Sequence, residues 1–199
     1  VCVGDFLSNE IIKGYSEEEI AEIIIEILKK LSNKLITVPG NNDGKIIDLL
    51  REKTICVHNS GIILNDIGFY GFGGARTPIG TLFEPSETEF EVGLKNGFEK
   101  VKNAKFKIQL THMPPKDTRL DLTLTNLHVG SEAIRKFILQ NNPNVAICAH
   151  IIEAKGIDRL GNTILINPGK FVEGNFGIIQ INKEIKIYAK NIFEILWKK

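Results

Sequence analysis

Four residues stand just past apolar, strand-like runs and carry atoms that bind divalent cations: Asp5, Asn41, His112 and His150. A carboxylate, an amide oxygen and two imidazoles form a mixed oxygen and nitrogen set. That set suits Mn, Fe, Zn or Ni better than Ca or a thiolate-bound ion. Turn formers sit beside three of the four: Gly4, Gly40 and the Pro114-Pro115 pair. Taken singly, each position is ordinary, because Asp after Gly is common turn chemistry. Together they point to one site, since open α/β sheets bind ligands beyond the carboxyl ends of their strands.

The elements that must position these residues follow from hydrophobic period and capping. Strands are predicted over 1–3, 35–38, 106–110 and 145–148, each running into one of the four candidates. Ser16 with Glu19 and Ser86 with Glu89 are capping boxes, opening helices over 16–31 and 86–102. Shorter helices are predicted over 45–52 and 131–140. Runs at 62–64 and 67–72 flank Asn65-Asp66 and predict a hairpin. Beyond His150 the pattern changes to short strands at 163–166, 177–181 and 185–189. This alternation, with a β-rich C-terminal half, predicts an α/β sandwich with mixed sheets inside and helices outside.

Composition narrows the class. The 199 residues carry 43% hydrophobic and 25% charged residues, typical of one folded domain spanning 1–199. Neither repeat nor Gly/Pro/Ser linker interrupts it. The 25 basic and 24 acidic residues leave +1, so no nucleic-acid or anionic-membrane partner is called for. Lys198-Lys199 is too short to be a nucleic-acid patch. The run 23–28, broken by Glu26, is far short of the ~20 residues that span a bilayer. Three Cys without a C-x-x-C fit buried thiols in a reducing cytoplasm, and no signal peptide opens the chain. Val1, in place of Met, already reads as strand interior, so an upstream segment is expected.

The series VCVGDF, VPGNND, THMPP and CAHIIEAKGID resembles the calcineurin-like metallophosphoesterase superfamily, in its small archaeal and bacterial branch. GFGGARTPIGTLFEPSE, LHVGSEAIRKFI and GIDRLGNTILINPG are similar to that branch too, so the likeness covers nearly the whole chain. It implies a four-layer α/β/β/α sandwich of two mixed sheets flanked by helices, here lacking the usual first strand. It implies hydrolysis of a small phosphomonoester or phosphodiester, with Mn²⁺ as the expected ion. In the family two cations clamp the phosphate while hydroxide attacks phosphorus in line. Asp5 would bridge them, and Asn41, His112 and His150 would complete the second ion's shell. Asn42 takes the position that often holds a catalytic His, where it can hydrogen-bond phosphate. Asp43 would brace that loop. By its place in the Gly-rich loop, Arg76 reads either as a substrate-phosphate contact or as a solvated loop residue.

The chain departs from the family pattern mainly at one metal. The D-x-H motif is absent, and the second His of G-H-x-H is Ile152, whose alkyl side chain has no lone pair. Ala149 replaces the Gly of that motif, which matters if the backbone there needs φ > 0. Of the first ion's ligands only Asp5 remains; the second ion keeps all four, so one well-supported site is expected. A degenerate member acting as a scaffold or binding module is therefore the competing expectation, with the retromer subunit of this fold as precedent. A homodimer or partner covering the missing first strand is expected as well. Glu153 should point elsewhere. His58, beside Asn59-Ser60-Gly61, reads as a surface turn residue. His128 either faces the cleft or flanks the helix capped by Ser131. Ser131 lacks a nucleophile elbow, and residues 71–74 lack the Lys of a P-loop.

Overall fold

A computed structural model describes residues 1–8 and 12–197; Lys198 and Lys199 lie outside it. The elements run α1 (Glu17–Lys29), β1 (Ile36–Thr37), α2 (Ile47–Lys53), β2 (Ile55–Cys56), β3 (Ser60–Leu64), β4 (Ile67–Phe72), α3 (Glu87–Val101) and β5 (Phe106–Thr111). There follow α4 (Glu132–Asn141), β6 (Val145–Ile147), β7 (Gly156–Leu160), β8 (Thr163–Asn167), β9 (Asn175–Ile181), β10 (Ile185–Asn191) and α5 (Ile192–Leu196). Both expected capping boxes form: Ser16 and Ser86 accept the N3 amides, while Glu19 and Glu89 reach back to the cap. Each contributes ~1 kcal/mol to its helix.

Six strands make a mixed sheet in the order β3-β4-β5-β6-β8-β7, with β4, β5, β6 and β8 parallel. Three hydrophobic clusters separate four layers, which is the expected α/β/β/α sandwich. Phe90 and Leu94 of α3 and Ile134 and Ile138 of α4 pack on Tyr70 and Leu165 of the sheet, all fully buried. The opposite face of the sheet puts Ile108, Leu110, Val145 and Ile147 against Val3, Val38 and the isoleucines of β9 and β10. Outside those, Ile25 of α1 and Leu50 of α2 close over Phe6, Leu7, Leu35 and Ile46. At ~1.5 to 3 kcal/mol per large buried side chain, these interfaces hold the strand ends in place.

The second β layer consists of two hydrogen-bonded pieces. One is the parallel pair β1 and β2, extended by a bridge from Cys2 to Thr37; the other is the antiparallel β9–β10 hairpin. Among the described residues no ladder joins them. Three elements, β2, β7 and α5, add to those that the sequence pattern predicts. The pair β3–β4 turns through Asn65 and Asp66, both at positive φ, as the hairpin signal required. Among the described residues, no helix is long and apolar enough to cross a membrane.

Candidate metal centre

The structure brings Asp5, His112 and His150 together, with ligand atoms all within 4.8 Å of one another. Each arrives from a different strand end. Cys2, next to the Asp5 loop, pairs with β1, and His112 directly follows β5. His150 follows β6 by three residues, and the Ala149 amide donates to the His112 carbonyl at 2.9 Å. Asn41, buried after β1, places Oδ1 3.1 Å from His112 Nε2.

Close backbone approach makes this convergence possible. Gly4 has φ +98°, and a Cβ there would fall against the Gly40 backbone; a Cβ on Gly40 would strike Asp5. The Asp5 and Asn41 loops thus touch backbone to backbone, which only glycine permits. Asp5 and His150 themselves sit at φ +54° and +63°. Left-handed backbone at a non-glycine residue costs of order 1 kcal/mol, and such strain gathers at functional sites. Ala149 is not among the positive-φ residues. The unusual backbone expected there falls on the imidazole-bearing residue instead.

Asp43 carries the bracing. Its fully buried carboxylate accepts the amides of Gly40 at 2.7 Å, Leu7 at 2.9 Å and Phe6 at 3.3 Å. These bonds fix the chain on either side of Asn41 and just after Asp5. Burial pushes the Asp43 carboxyl above its ordinary value, while the Gly40 and Leu7 amides pull it back. Three donors aimed at two oxygens suit the ionised form.

The donor chemistry can be compared with what a cation requires. The Val3 carbonyl lies 2.6 Å from His112 Nδ1. A carbonyl only accepts, so Nδ1 carries the proton and Nε2 faces inward. There Nε2 meets Asp5 Oδ2 at 3.2 Å and Asn41 Oδ1 at 3.1 Å. Acceptors gather this closely around a positive centre, either a proton on Nε2 or a cation among them. Burial disfavours charged His112, but the Asp5 hydrogen bond and charge outweigh it and hold the imidazole above its ordinary value. Asp5 responds in kind: burial pushes it up, and His112 and the Asn42 amide bring it below the usual carboxylate range. His150 is lowered to about 4 by burial and then by His112, so it is neutral at pH 7 and its lone pair is free for a metal. Two oxygens and two imidazole nitrogens fit a divalent first-row ion.

The remaining sequence candidates distribute around this centre. Asn42 donates its amide to Asp5 Oδ1 at 3.3 Å, and its side chain is partly exposed. Arg76 donates its backbone amide to Met113 Sδ at 3.5 Å, while its guanidinium lies 3.9 Å from the Glu87 carboxylate. Ile152 is 43% exposed and offers no donor. Glu153 accepts the Leu124 amide at 3.4 Å, so its carboxylate turns to the 119–126 loop. Among the described residues, Asp5, His112 and His150 form the one such ligand group.

Two residues carry more than the sequence suggested. His58 is half-buried, tilted against Phe72 at 4.3 Å between ring centroids and edge-on to Phe83, and accepts the Gly73 amide at 3.1 Å. The surface-turn expectation for it is corrected; the flanking turn residues hid a ring that tertiary packing encloses. Asp121, fully buried, accepts from Asp117, Thr118, Gly130 and the His128 ring, organising the 115–131 loop. The Thr118-x-x-Asp121 spacing of a capping box was the available signal. Ser131 caps α4 and donates to Glu87 at 2.7 Å.

A family model described as "Metallophosphoesterase, calcineurin superfamily" matches residues 8–191. The chain belongs to this superfamily. Asn41, His112 and His150 fall inside the matched residues, and Asp5 precedes them. This metallophosphoesterase is 39% identical over 153 residues to the uncharacterized protein MJ1162 of Methanocaldococcus jannaschii, covering 73% of this chain and 69% of that protein. The crystal structure of TT1561 of Thermus thermophilus matches 95% of this chain and 84% of its own, with TM-score 0.68 and 18% identity. A putative 5'-nucleotidase from Staphylococcus aureus matches 86% of this chain but 39% of its own, with TM-score 0.53 and 11% identity. At those identities the two structures speak to the fold alone.

Proposed function

We propose that this metallophosphoesterase hydrolyses a small phosphomonoester or phosphodiester, with Mn²⁺ or a similar ion held by Asp5, Asn41, His112 and His150. The observation that carries the reading is the inward Nε2 of His112, faced by two oxygen acceptors. A divalent cation supplies charge against phosphoryl oxygens and acidifies water, which removes the need for a protein base. The chain's own residues supply position. Asp43 sets the Asp5 and Asn41 loops, and the Val3 carbonyl sets the His112 tautomer. The Asn42 side chain, at the rim, donates to a phosphate oxygen. The Arg76 guanidinium, held by a 3.9 Å contact, swings to a second oxygen.

The test is metal content by elemental analysis, paired with hydrolysis of bis-p-nitrophenyl phosphate in added Mn²⁺. Bound ion with turnover, both lost in Asp5→Ala, supports the proposal; no bound ion refutes it. A second reading has its own observation. Ile152 offers no ligand and Glu153 is turned away, so among the described residues Asp5 is left without a companion ligand on the side of a second ion. One ion per chain without turnover would favour that reading, a binding module retaining one metal.

A further inference from the structure

The segment 73–76 spends its backbone groups in an unusual way. Its four consecutive amides donate to four separate parts of the chain. Gly73 donates to His58 Nδ1, Gly74 to the Pro39 carbonyl, Ala75 to the Phe83 carbonyl, and Arg76 to Met113 Sδ. Phe83 in turn donates its amide to the carbonyl of Asn41 at 3.0 Å. The segment therefore touches the loops of Asn41 and His112 at once, and no regular ladder holds it. Three of its four amide acceptors are main-chain carbonyls or a thioether. The fourth, at the end where the segment leaves β4, is the imidazole of His58.

We infer that His58 is a positioning residue for the metal centre: its Nδ1 lone pair anchors the segment that braces the Asn41 and His112 loops. The inference rests on the metal-site reading above and extends it to a residue that touches neither ligand nor substrate. Geometry sets the demand. Because Gly73 is the donor, Nδ1 must be unprotonated, and Phe72 and Phe83 pack around the ring so that it stays neutral. Burial and the neighbouring Arg51 charge work in the same direction. A Cβ on Gly73 would strike Pro39, so the segment is already as close to the Asn41 loop as backbone allows.

Two substitutions separate anchoring from packing. His58→Leu keeps an apolar body between the phenylalanines and removes the acceptor. His58→Asn loses the ring but places Oδ1 where Nδ1 stood. Mn²⁺ affinity is measured by calorimetry on both variants and the wild type, alongside thermal melts. The expected result is about a tenfold loss in His58→Leu, the effect typical of removing an orienting partner. His58→Asn retains affinity within about threefold, although it melts no higher than His58→Leu. Wild-type affinity in His58→Leu, or an equal loss in His58→Asn, overturns the inference while leaving the metal site standing. Wild-type protein that takes up no Mn²⁺ overturns both. Hydrogen exchange on the wild type gives a reading independent of the variants. The Gly73 amide must be protected, and exchange at the rate of an open loop overturns the anchor.

Discussion

Asp43→Asn is the substitution through which the site's architecture is most directly measured. The carboxylate is wholly buried and receives three backbone donors at 2.7, 2.9 and 3.3 Å. Asparagine retains one oxygen. Placed to serve Gly40 and Phe6, it leaves its NH₂ facing the Leu7 amide, two donors opposed in a buried setting. One charge-assisted bond is lost and two become neutral, for a total cost of about 2 to 4 kcal/mol. Against a total stability of ~5 to 15 kcal/mol, that is a large fraction. Urea denaturation followed by circular dichroism gives the difference, with the slope unchanged if only the native state is affected. Mn²⁺ affinity falls with it, because the same amides flank Asn41 and follow Asp5. A stability loss below about 1 kcal/mol would refute the reasoning, since these amides would then have other partners.

Acid stability depends on His58, whose imidazole is lowered to about 4 by burial and then by Arg51. The unfolded chain binds the proton more tightly, so this contribution is complete above pH ~6.5 and is lost as pH falls toward 4. It amounts to roughly 3 kcal/mol. His150 shifts the same way, so the wild-type minus His58→Asn difference in stability against pH isolates His58. A difference that does not vary with pH would contradict this. Gly93→Ala should destabilise by about 1 to 3 kcal/mol despite the better helix former, because the new Cβ falls inside the Phe72 ring. A higher melting temperature would show that the ring moves freely. Free Mn²⁺ at about 100 times its Kd adds about 2.7 kcal/mol, which raises the melting temperature by roughly 5 to 10 °C. A chelator reverses the rise, and Asp5→Ala or His150→Ala abolishes it. No rise in the wild type would argue against the site.

The sequence was most legible where structure is local. Capping boxes at Ser16 and Ser86, the Asn65-Asp66 hairpin and the helical period of α1 depend on residues a few positions apart. The convergence of Asp5, Asn41, His112 and His150 was legible too, since strand ends in a largely parallel arrangement meet at one edge. Elements without a strong local period escaped. β2 is two residues long, and β7, with Asp158 and Arg159 in its middle, becomes a strand only through its antiparallel ladder with β8.

Donor types and strand ends were therefore determined by the chain's own order, because the alternation of apolar runs and turn formers specifies both. What tertiary structure alone decided is how those donors are held. His112 takes its tautomer from Val3, 109 positions earlier, and Asp43 braces residues 36 and 37 positions away. The positive φ sits on His150 rather than Ala149, and His58 turns out to be an enclosed acceptor. The physical reason is the same in each case. A hydrogen bond between distant segments depends on which backbone groups the packed layers bring within about 3 Å, and no spacing along the chain encodes that.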